Sequence, residues 1–182
     1  IDLQALSDKQ EPEALLGLGD ALTMLGNFEK ASAAYQAANA LYKKFGFREG
    51  KARSSFGLGL MAIQSELPRV ATEHLLSAGQ LFTDVGKTIA AGRTLTTVGE
   101  VLMSINDGDG ALRMYREAAR MFEQEGAPLG LIIVALGTGD VNRRINKNVE
   151  AVEAYILANS LFTALEYPVT EANRYLGLPA VE

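Results

Sequence analysis

The sequence predicts an all-α protein, a right-handed solenoid of stacked helical hairpins. The first observation behind this prediction is a register of 40 residues that links Gly19, Gly59, Gly99 and Gly139. Self-similarity at a fixed period of this length is the signature of a repeat architecture. No window shows the sustained alternation expected of strands. Five further columns keep the same period: Ala31, Ala71, Ala111, Ala151; Ala38, Ala78, Ala118, Ala158; Leu41, Leu81, Met121, Leu161; Tyr42, Phe82, Phe122, Phe162; and Tyr35, Leu75, Tyr115, Tyr155.

The second observation is helical spacing within each unit. In residues 11–46, apolar residues recur at steps of three and four, interrupted once at Gly26 and Asn27. This spacing predicts two amphipathic helices joined by a short turn. The residues that mark the two faces are Leu15, Leu18, Leu22 and Leu25, then Phe28, Ala31, Tyr35, Ala38, Leu41 and Phe45.

The third observation is that the helix ends recur in register. Gly and Asn tolerate the left-handed conformation that closes a helix, and proline fits the first helical turn. Pro68, Pro128 and Pro168 therefore mark helix starts. The C-terminal columns are Gly26, Asn106 and Asn146, with Glu66 as the exception, and Gly46, Gly86 and Gly126, with Glu166 as the exception.

The domain organisation is expected to be a single array over residues 1–182. Its units span about 11–46, 47–86, 87–126 and 127–167, with partial helices at 1–7 and 168–178. Interior units of a solenoid each offer an apolar face to the next. We therefore expect either a longer natural chain or self-association through the incomplete end repeats. The first residue, Ile1 rather than Met, favours the longer chain.

Several glycines are expected to lie inside first helices, although glycine there costs about 1 kcal/mol relative to alanine. This repeated cost predicts helix contacts too close for a Cβ, with the Ala31 and Ala38 columns as the matching small surface. The glycines concerned are Gly17, Gly19, Gly57, Gly59, Gly99, Gly137 and Gly139.

Composition excludes several classes of function. The chain has 22 acidic and 17 basic residues, for a net charge of −5, whereas nucleic-acid binding needs a dominant basic footprint. It has no cysteine, so disulfides and thiolate metal sites are excluded. No apolar run reaches the length of a membrane span. A cytoplasmic protein without a membrane span is expected.

Three motifs carry no catalytic chemistry on this interpretation. Gly57 to Ala62 resembles a dinucleotide fingerprint but falls inside a predicted helix rather than after a strand. His74 is the single histidine and has no partner set for a metal. Asp107 and Asp109 resemble a calcium loop whose twelfth position, Ala118, is no ligand, so they predict a helix cap. We expect no enzyme, no cofactor and no metal.

The pattern Leu15, Leu18-Gly19, Leu22, Ala31, Tyr35 and Ala38 resembles the tetratricopeptide repeat (TPR). The usual period of that family is about 34 residues. The longer period here resembles the subgroup found in kinesin light chains and Pins-type adaptors, and long repeats in bacterial regulators. The resemblance covers four units and implies that the first helices line a concave surface.

Removing the packing columns from the first helices leaves a stripe at helical spacing that is expected to face the concave side. It has an apolar track flanked by charges of both signs, which suits a peptide or helical segment of a partner. The candidate residues are Leu16, Asp20, Thr23 and Met24; Arg53, Phe56, Leu60 and Gln64; Arg93, Thr96, Glu100 and Met103; and Ile133, Leu136, Asp140, Arg143 and Arg144.

These observations predict a non-enzymatic protein-interaction scaffold whose concave face binds a protein or peptide partner. The alternative is a sensor or regulatory domain of a larger bacterial signalling or transcription protein, with a peptide or small effector in the groove. Because one fold hosts many activities, the sequence leaves both open.

Overall fold

The computed structural model describes residues 11–165, and this part of the chain is entirely helical. The all-α prediction is therefore confirmed there. The partial helices predicted at 1–7 and 168–178, together with Pro168 and Glu166, lie outside the described residues. The helices are α1 (Pro12–Met24), α2 (Phe28–Lys44), α3 (Arg48–Gln64), α4 (Pro68–Asp84), α5 (Thr88–Ser104), α6 (Gly108–Gln124), α7 (Pro128–Arg144) and α8 (Asn148–Ala164).

The helices form four consecutive hairpins. Each helix packs against the next one along the chain, and the first helices α1 and α3, and α5 and α7, also touch directly. Each hairpin therefore contacts its neighbours in sequence, as expected of a solenoid. We call α1, α3, α5 and α7 the first helices, and the surface they form the first-helix face.

All seven turns between the described helices use one backbone motif. At the α1–α2 turn, the Gly26 N–H bonds to the Thr23 carbonyl at 3.0 Å and the Asn27 N–H to the Leu22 carbonyl at 2.9 Å. This is the Schellman arrangement, whose turn residue is left-handed. Glu66 also adopts the left-handed conformation, with φ of 59°. The backbone of this turn is therefore the same as in the others, although its residue is neither Gly nor Asn.

The predicted helix starts are also present. Pro68 and Pro128 occupy the first turns of α4 and α7. Pro12, which was not among the predicted starts, occupies the first turn of α1. Asp107 caps α6, because its Oδ1 accepts the Gly110 N–H at 2.8 Å. The acidic turn is thus a helix cap, as predicted.

The glycine column of the first helices faces a ring or branched side chain of the second helix. A Cβ on Gly19 would lie 2.6 Å from the Tyr35 ring, and one on Gly99 would lie 2.5 Å from the Tyr115 ring. The predicted close contact is confirmed, but the atoms nearest to such a Cβ belong to the tyrosine column rather than to Ala31 and Ala38.

One of the seven glycines does not fit this explanation. A Cβ on Gly17 would meet no atom of residues 11–165 within 4 Å, so the predicted tight contact is not found there within the described part of the chain. The equivalent Gly57 and Gly137 pack on Tyr35 and Tyr115 of the preceding unit. No preceding unit lies among the described residues to fill the same position beside Gly17.

Candidate functional site

A cavity of about 350 Å³ opens on the first-helix face between α1 and α3. It brings together all eight candidate residues of the first two units, Leu16, Asp20, Thr23, Met24, Arg53, Phe56, Leu60 and Gln64, and adds Tyr35 and Gly57. We call it the first-helix cavity.

The wall of this cavity is mainly apolar. Leu16 is buried, Phe56 is half-buried, and Leu60 remains 37% exposed. Met24 stands at the far end of α1 and is 83% exposed. Burial of apolar surface is the main favourable term in association, so this wall can hold an apolar side chain of a partner.

Polar groups at the base of the cavity are already hydrogen-bonded to one another. The Tyr35 hydroxyl donates to Asp20 Oδ1 at 2.7 Å, and the Thr23 hydroxyl donates to the Gly19 carbonyl at 2.8 Å. Burial raises the pKa of Tyr35 to about 12, and the neighbouring Asp20 contributes to that rise. The tyrosine therefore stays neutral and fixes the Asp20 carboxylate in place.

Arg53 borders the cavity at the end nearer the start of α3. Its Nη1 lies 2.6 Å from Glu13 Oε1, and the same oxygen accepts the Tyr42 hydroxyl at 2.8 Å. The Tyr42 hydrogen bond, assisted by Arg53, lowers the pKa of the Glu13 carboxyl below its ordinary value. The pair is about half exposed, so both groups remain accessible to a charged partner.

The candidate residues of the third and fourth units are dispersed. Met103 and Arg144 share a smaller cavity of about 140 Å³ between α5 and α7, where Arg144 Nη2 donates to Asn106 Oδ1 at 2.9 Å. Asp140 accepts the Tyr155 hydroxyl at 2.7 Å and lies 3.4 Å from Arg143 Nη2.

The remaining candidates line neither of these cavities. Thr96 is buried and its hydroxyl donates to the Gly92 carbonyl at 2.9 Å, so it faces the helix packing. Ile133 is 53% exposed, Arg93 is exposed and Leu136 is half-buried. Desolvation raises the pKa of the Glu100 carboxyl above its ordinary value.

Sequence reasoning missed two hydrogen bonds in which a tyrosine of a second helix donates to a carboxylate of the preceding first helix, Tyr35 to Asp20 and Tyr155 to Asp140. A signal for this was present in the register. Units one, three and four have a tyrosine in the second helix and an acidic residue, Asp20, Glu100 or Asp140, in the first helix. Unit two has leucine at both positions, Leu75 and Leu60. The acid and the tyrosine thus change together.

It also missed a cavity of about 510 Å³ between the second helices α6 and α8, floored by α7. None of the candidate residues lines it. Ala154 borders this cavity, and the equivalent positions in units two and three carry the larger His74 and Met114. Unit one also has an alanine at this position, Ala34, so the register alone gave no signal that identifies the cavity.

The other sequence motifs fall in the helices as expected. Gly57 to Ala62 lies in the middle of α3, and His74 is half-buried on α4. Within residues 11–165, no group of three or more His, Asp or Glu side chains is placed to hold a metal ion. None of the described helices combines the length and apolar character needed to cross a bilayer.

Among solved structures, the chain resembles BtubC (BKLC) from P. vanneervenii, with a TM-score of 0.71 and 21% identity over 88% of this chain and 69% of that one. Aspartyl phosphate phosphatase F from Bacillus subtilis aligns with a TM-score of 0.78 and 14% identity, over 87% of this chain and 42% of that one. A Rap protein complexed with Competence and Sporulation Factor aligns with a TM-score of 0.69 and 17% identity, over 85% and 45%. These likenesses concern the fold.

A search of curated protein sequences found no match. The profile of the SNAP family, described as soluble NSF attachment protein, matches residues 19–156. The predicted TPR-like repeat fold is confirmed, while the kinesin-light-chain or Pins-type subgroup stays a prediction. Since the matched segment covers most of the array, the chain belongs to the soluble NSF attachment protein family.

Proposed function

We propose that this protein is a non-enzymatic interaction scaffold that binds a peptide or helical segment of a partner in the first-helix cavity. The observation that carries the proposal is the convergence of eight stripe residues on one cavity between α1 and α3. Extended surfaces of this kind are how solenoid proteins bind partners.

The chemistry of the cavity favours an amphipathic segment. Leu16, Phe56 and Leu60 provide an apolar wall, while Arg53 and Asp20 supply charges of opposite sign. An amphipathic helix laid in a groove uses apolar anchors and flanking polar contacts. The Rap protein of similar fold, which is complexed with Competence and Sporulation Factor, supports a binding role for such arrays.

The second candidate is a sensor or regulatory domain of a larger bacterial protein, in which a peptide or small effector occupies the same cavity. The likeness to the Rap protein and to phosphatase F favours it, since the alignment spans only 45% and 42% of those chains. A DNA-binding or catalytic domain fused to this array in the full-length protein would favour the regulator.

The test uses peptides selected against the intact chain from a phage-displayed random library. Leu60→Asp should weaken the selected peptides by about tenfold or more, because losing one buried leucine contact removes at least about 1.4 kcal/mol. Leu76→Asp is the matched control, since Leu76 is similarly exposed at 42% but lies on the second helix α4. Fluorescence anisotropy gives both affinities.

A charge variant probes the wider stripe. Arg53→Glu combined with Arg93→Glu should weaken binding while helicity and melting temperature stay nearly unchanged, because exposed ion pairs contribute little to stability. Peptides that bind the wild type, Leu60→Asp and the double arginine variant equally well would refute this placement of the binding site.

A further inference from the structure

The cavity of about 510 Å³ between α6 and α8 has mainly apolar walls above its floor on α7. We call it the second-helix cavity. Its volume lies within the range of about 300–1,000 Å³ that is typical of small-molecule sites. None of the described residues that line it also lines the first-helix cavity, so the two are separate surfaces. Its apolar lining includes Leu112, Leu131, Val134 and Leu157.

Small residues open this cavity at a position where the preceding junction is filled. Between α4 and α6, Leu95 occupies the position equivalent to Ala135. Met114 occupies the position equivalent to Ala154. Leu95 is buried and Met114 packs against the same hydrophobic cluster. The two alanines therefore leave space that a close-packed interior would fill.

The floor of the cavity carries polar residues in two columns that are otherwise apolar. Thr138 and Asn142 line it from α7, and residues four apart lie side by side on one face of a helix. Asn142 is only 6% exposed. Because the other three units are apolar at both positions, the repeat fold does not require polar groups there. The equivalent residues are Leu18, Leu58 and Val98 for Thr138, and Leu22, Ala62 and Leu102 for Asn142.

The side chains of Thr138 and Asn142 form no hydrogen bond within residues 11–165, whereas the buried Thr96 hydroxyl donates to the Gly92 carbonyl at 2.9 Å. Among the described residues, no fully buried side-chain nitrogen or oxygen lacks a partner. The amide of Asn142 must therefore be open to the cavity that it lines. A molecule in the cavity can complete its hydrogen bonds.

Charged side chains around the cavity balance one another. Two cations and two acids give the lining no net charge, so an ion gains little attraction from it. A neutral molecule, in contrast, loses little hydration on entering an apolar site. These exposed residues are Arg116, Lys147, Glu123 and Glu150.

We propose that the second-helix cavity binds a small neutral molecule with an apolar body and a primary carboxamide. A primary carboxamide has an N–H and a carbonyl on one edge, and so does the side chain of Asn142. The two amides can therefore donate to each other, while the Thr138 hydroxyl bonds to the carboxamide beside them. Leu131, Val134 and Leu157 contact the apolar body, whose burial is the main favourable term. Since the two cavities share no residue, this proposal does not rest on the proposed scaffold function.

The test is an NMR titration of the isotope-labelled full chain with N-acetyltryptophanamide. This probe is neutral and combines an indole ring with a primary carboxamide. We expect saturable shifts of the Asn142 side-chain signals. The ethyl ester of N-acetyltryptophan is the matched control probe, because it keeps the ring and replaces only the carboxamide. It should bind at least about fivefold more weakly, the factor that corresponds to one net hydrogen bond.

Variants separate the hydrogen bonds from the space. Asn142→Leu should weaken the amide probe more than about tenfold, since it removes both hydrogen bonds of the amide pair. Ala154→Met introduces the residue of the equivalent Met114 and should weaken both probes by filling the cavity. Asn159→Leu is the matched control, because Asn159 is exposed on α8 and does not line the cavity. It should bind the amide probe as the wild type does, and urea unfolding checks that each variant is folded.

Several outcomes would overturn the proposal. They are the absence of saturable binding by the amide probe, wild-type affinity in Asn142→Leu, and shifts confined to residues of the first-helix cavity. Equal affinity for the two probes that Ala154→Met abolishes would instead indicate an apolar groove for a side chain of a protein partner, and would also overturn it.

Discussion

Two buried tyrosine rings of this array each lie between two glycines. The Tyr35 ring contacts Gly19 of its own hairpin and Gly57 of the next, and Tyr115 lies in the same way between Gly99 and Gly137. A close-packed interior leaves little room for an added methyl group. The intrinsic cost of glycine in a helix is therefore offset, at these two junctions, by burial of a whole aromatic side chain.

This contact predicts opposite effects for the same substitution at two positions. Gly99→Ala should lower the free energy of unfolding by about 1–2 kcal/mol, because overpacking against the buried Tyr115 ring exceeds the gain in helix propensity. Gly17→Ala should raise it by up to about 1 kcal/mol, since no atom of the described residues lies within 4 Å of the added methyl. Urea denaturation measures both, and a stabilised Gly99→Ala variant would contradict the assigned packing.

For single residues, the sequence predicted where the first helices need a residue without a side chain, but not which side chain packs against it. The glycine columns were visible because they violate helix propensity. The partner was misassigned to Ala31 and Ala38, since periodicity gives the face of a residue and not the reach of its side chain. The joint change to Leu60 and Leu75 in unit two would have identified the hydroxyl–carboxylate pair.

The described turns all use the Schellman motif, and one of them has a residue that seldom adopts the left-handed conformation. Six of the seven described turns place Gly or Asn at the left-handed position, and the α3–α4 turn places Glu66 there with φ of 59°. The local Schellman hydrogen bond is retained at this turn, since the Leu67 N–H bonds to the Ala62 carbonyl at 2.9 Å. The turn was predictable from the register although its residue is not a typical one.

Replacing this residue should stabilise the array. Glu66→Gly is expected to raise the free energy of unfolding by about 1 kcal/mol, because a left-handed conformation costs an L-residue about 1–2 kcal/mol, less the greater unfolded-state entropy of glycine. Gly86→Ala, at the left-handed position of the α4–α5 turn, should destabilise the protein as the reverse control. Thermal and urea unfolding report both changes, and a destabilised Glu66→Gly would indicate an unrecognised contact of the glutamate.

Across the whole molecule, stability depends on successive interfaces rather than on one central core. Tyr35, Tyr42 and Tyr115 are each buried at junctions between neighbouring helices. The register predicted this architecture, since a repeat that cannot bury its apolar face alone must stack. It did not predict that all eight stripe residues of the first two units line one cavity between α1 and α3, whereas only Met103 and Arg144 line the cavity between α5 and α7. Periodicity gives the face on which a residue lies and not the space between two helices.

The buried tyrosines predict cooperative unfolding at alkaline pH. Burial raises the pKa of Tyr35, Tyr42 and Tyr115 from the ordinary value of 10.0 to about 12, so the folded state favours the neutral phenol. A raised folded-state pKa contributes stability that is complete below the unfolded-state pKa and is lost as pH rises through the folded-state value. The contribution of tyrosine ionisation should therefore be constant below about pH 10 and should fall between pH 10 and 12. Urea denaturation across this range should show a smaller decline for Tyr115→Phe, which removes one ionisable group from a junction. An equal decline in the variant and the wild type would show that burial of Tyr115 is not coupled to alkaline unfolding.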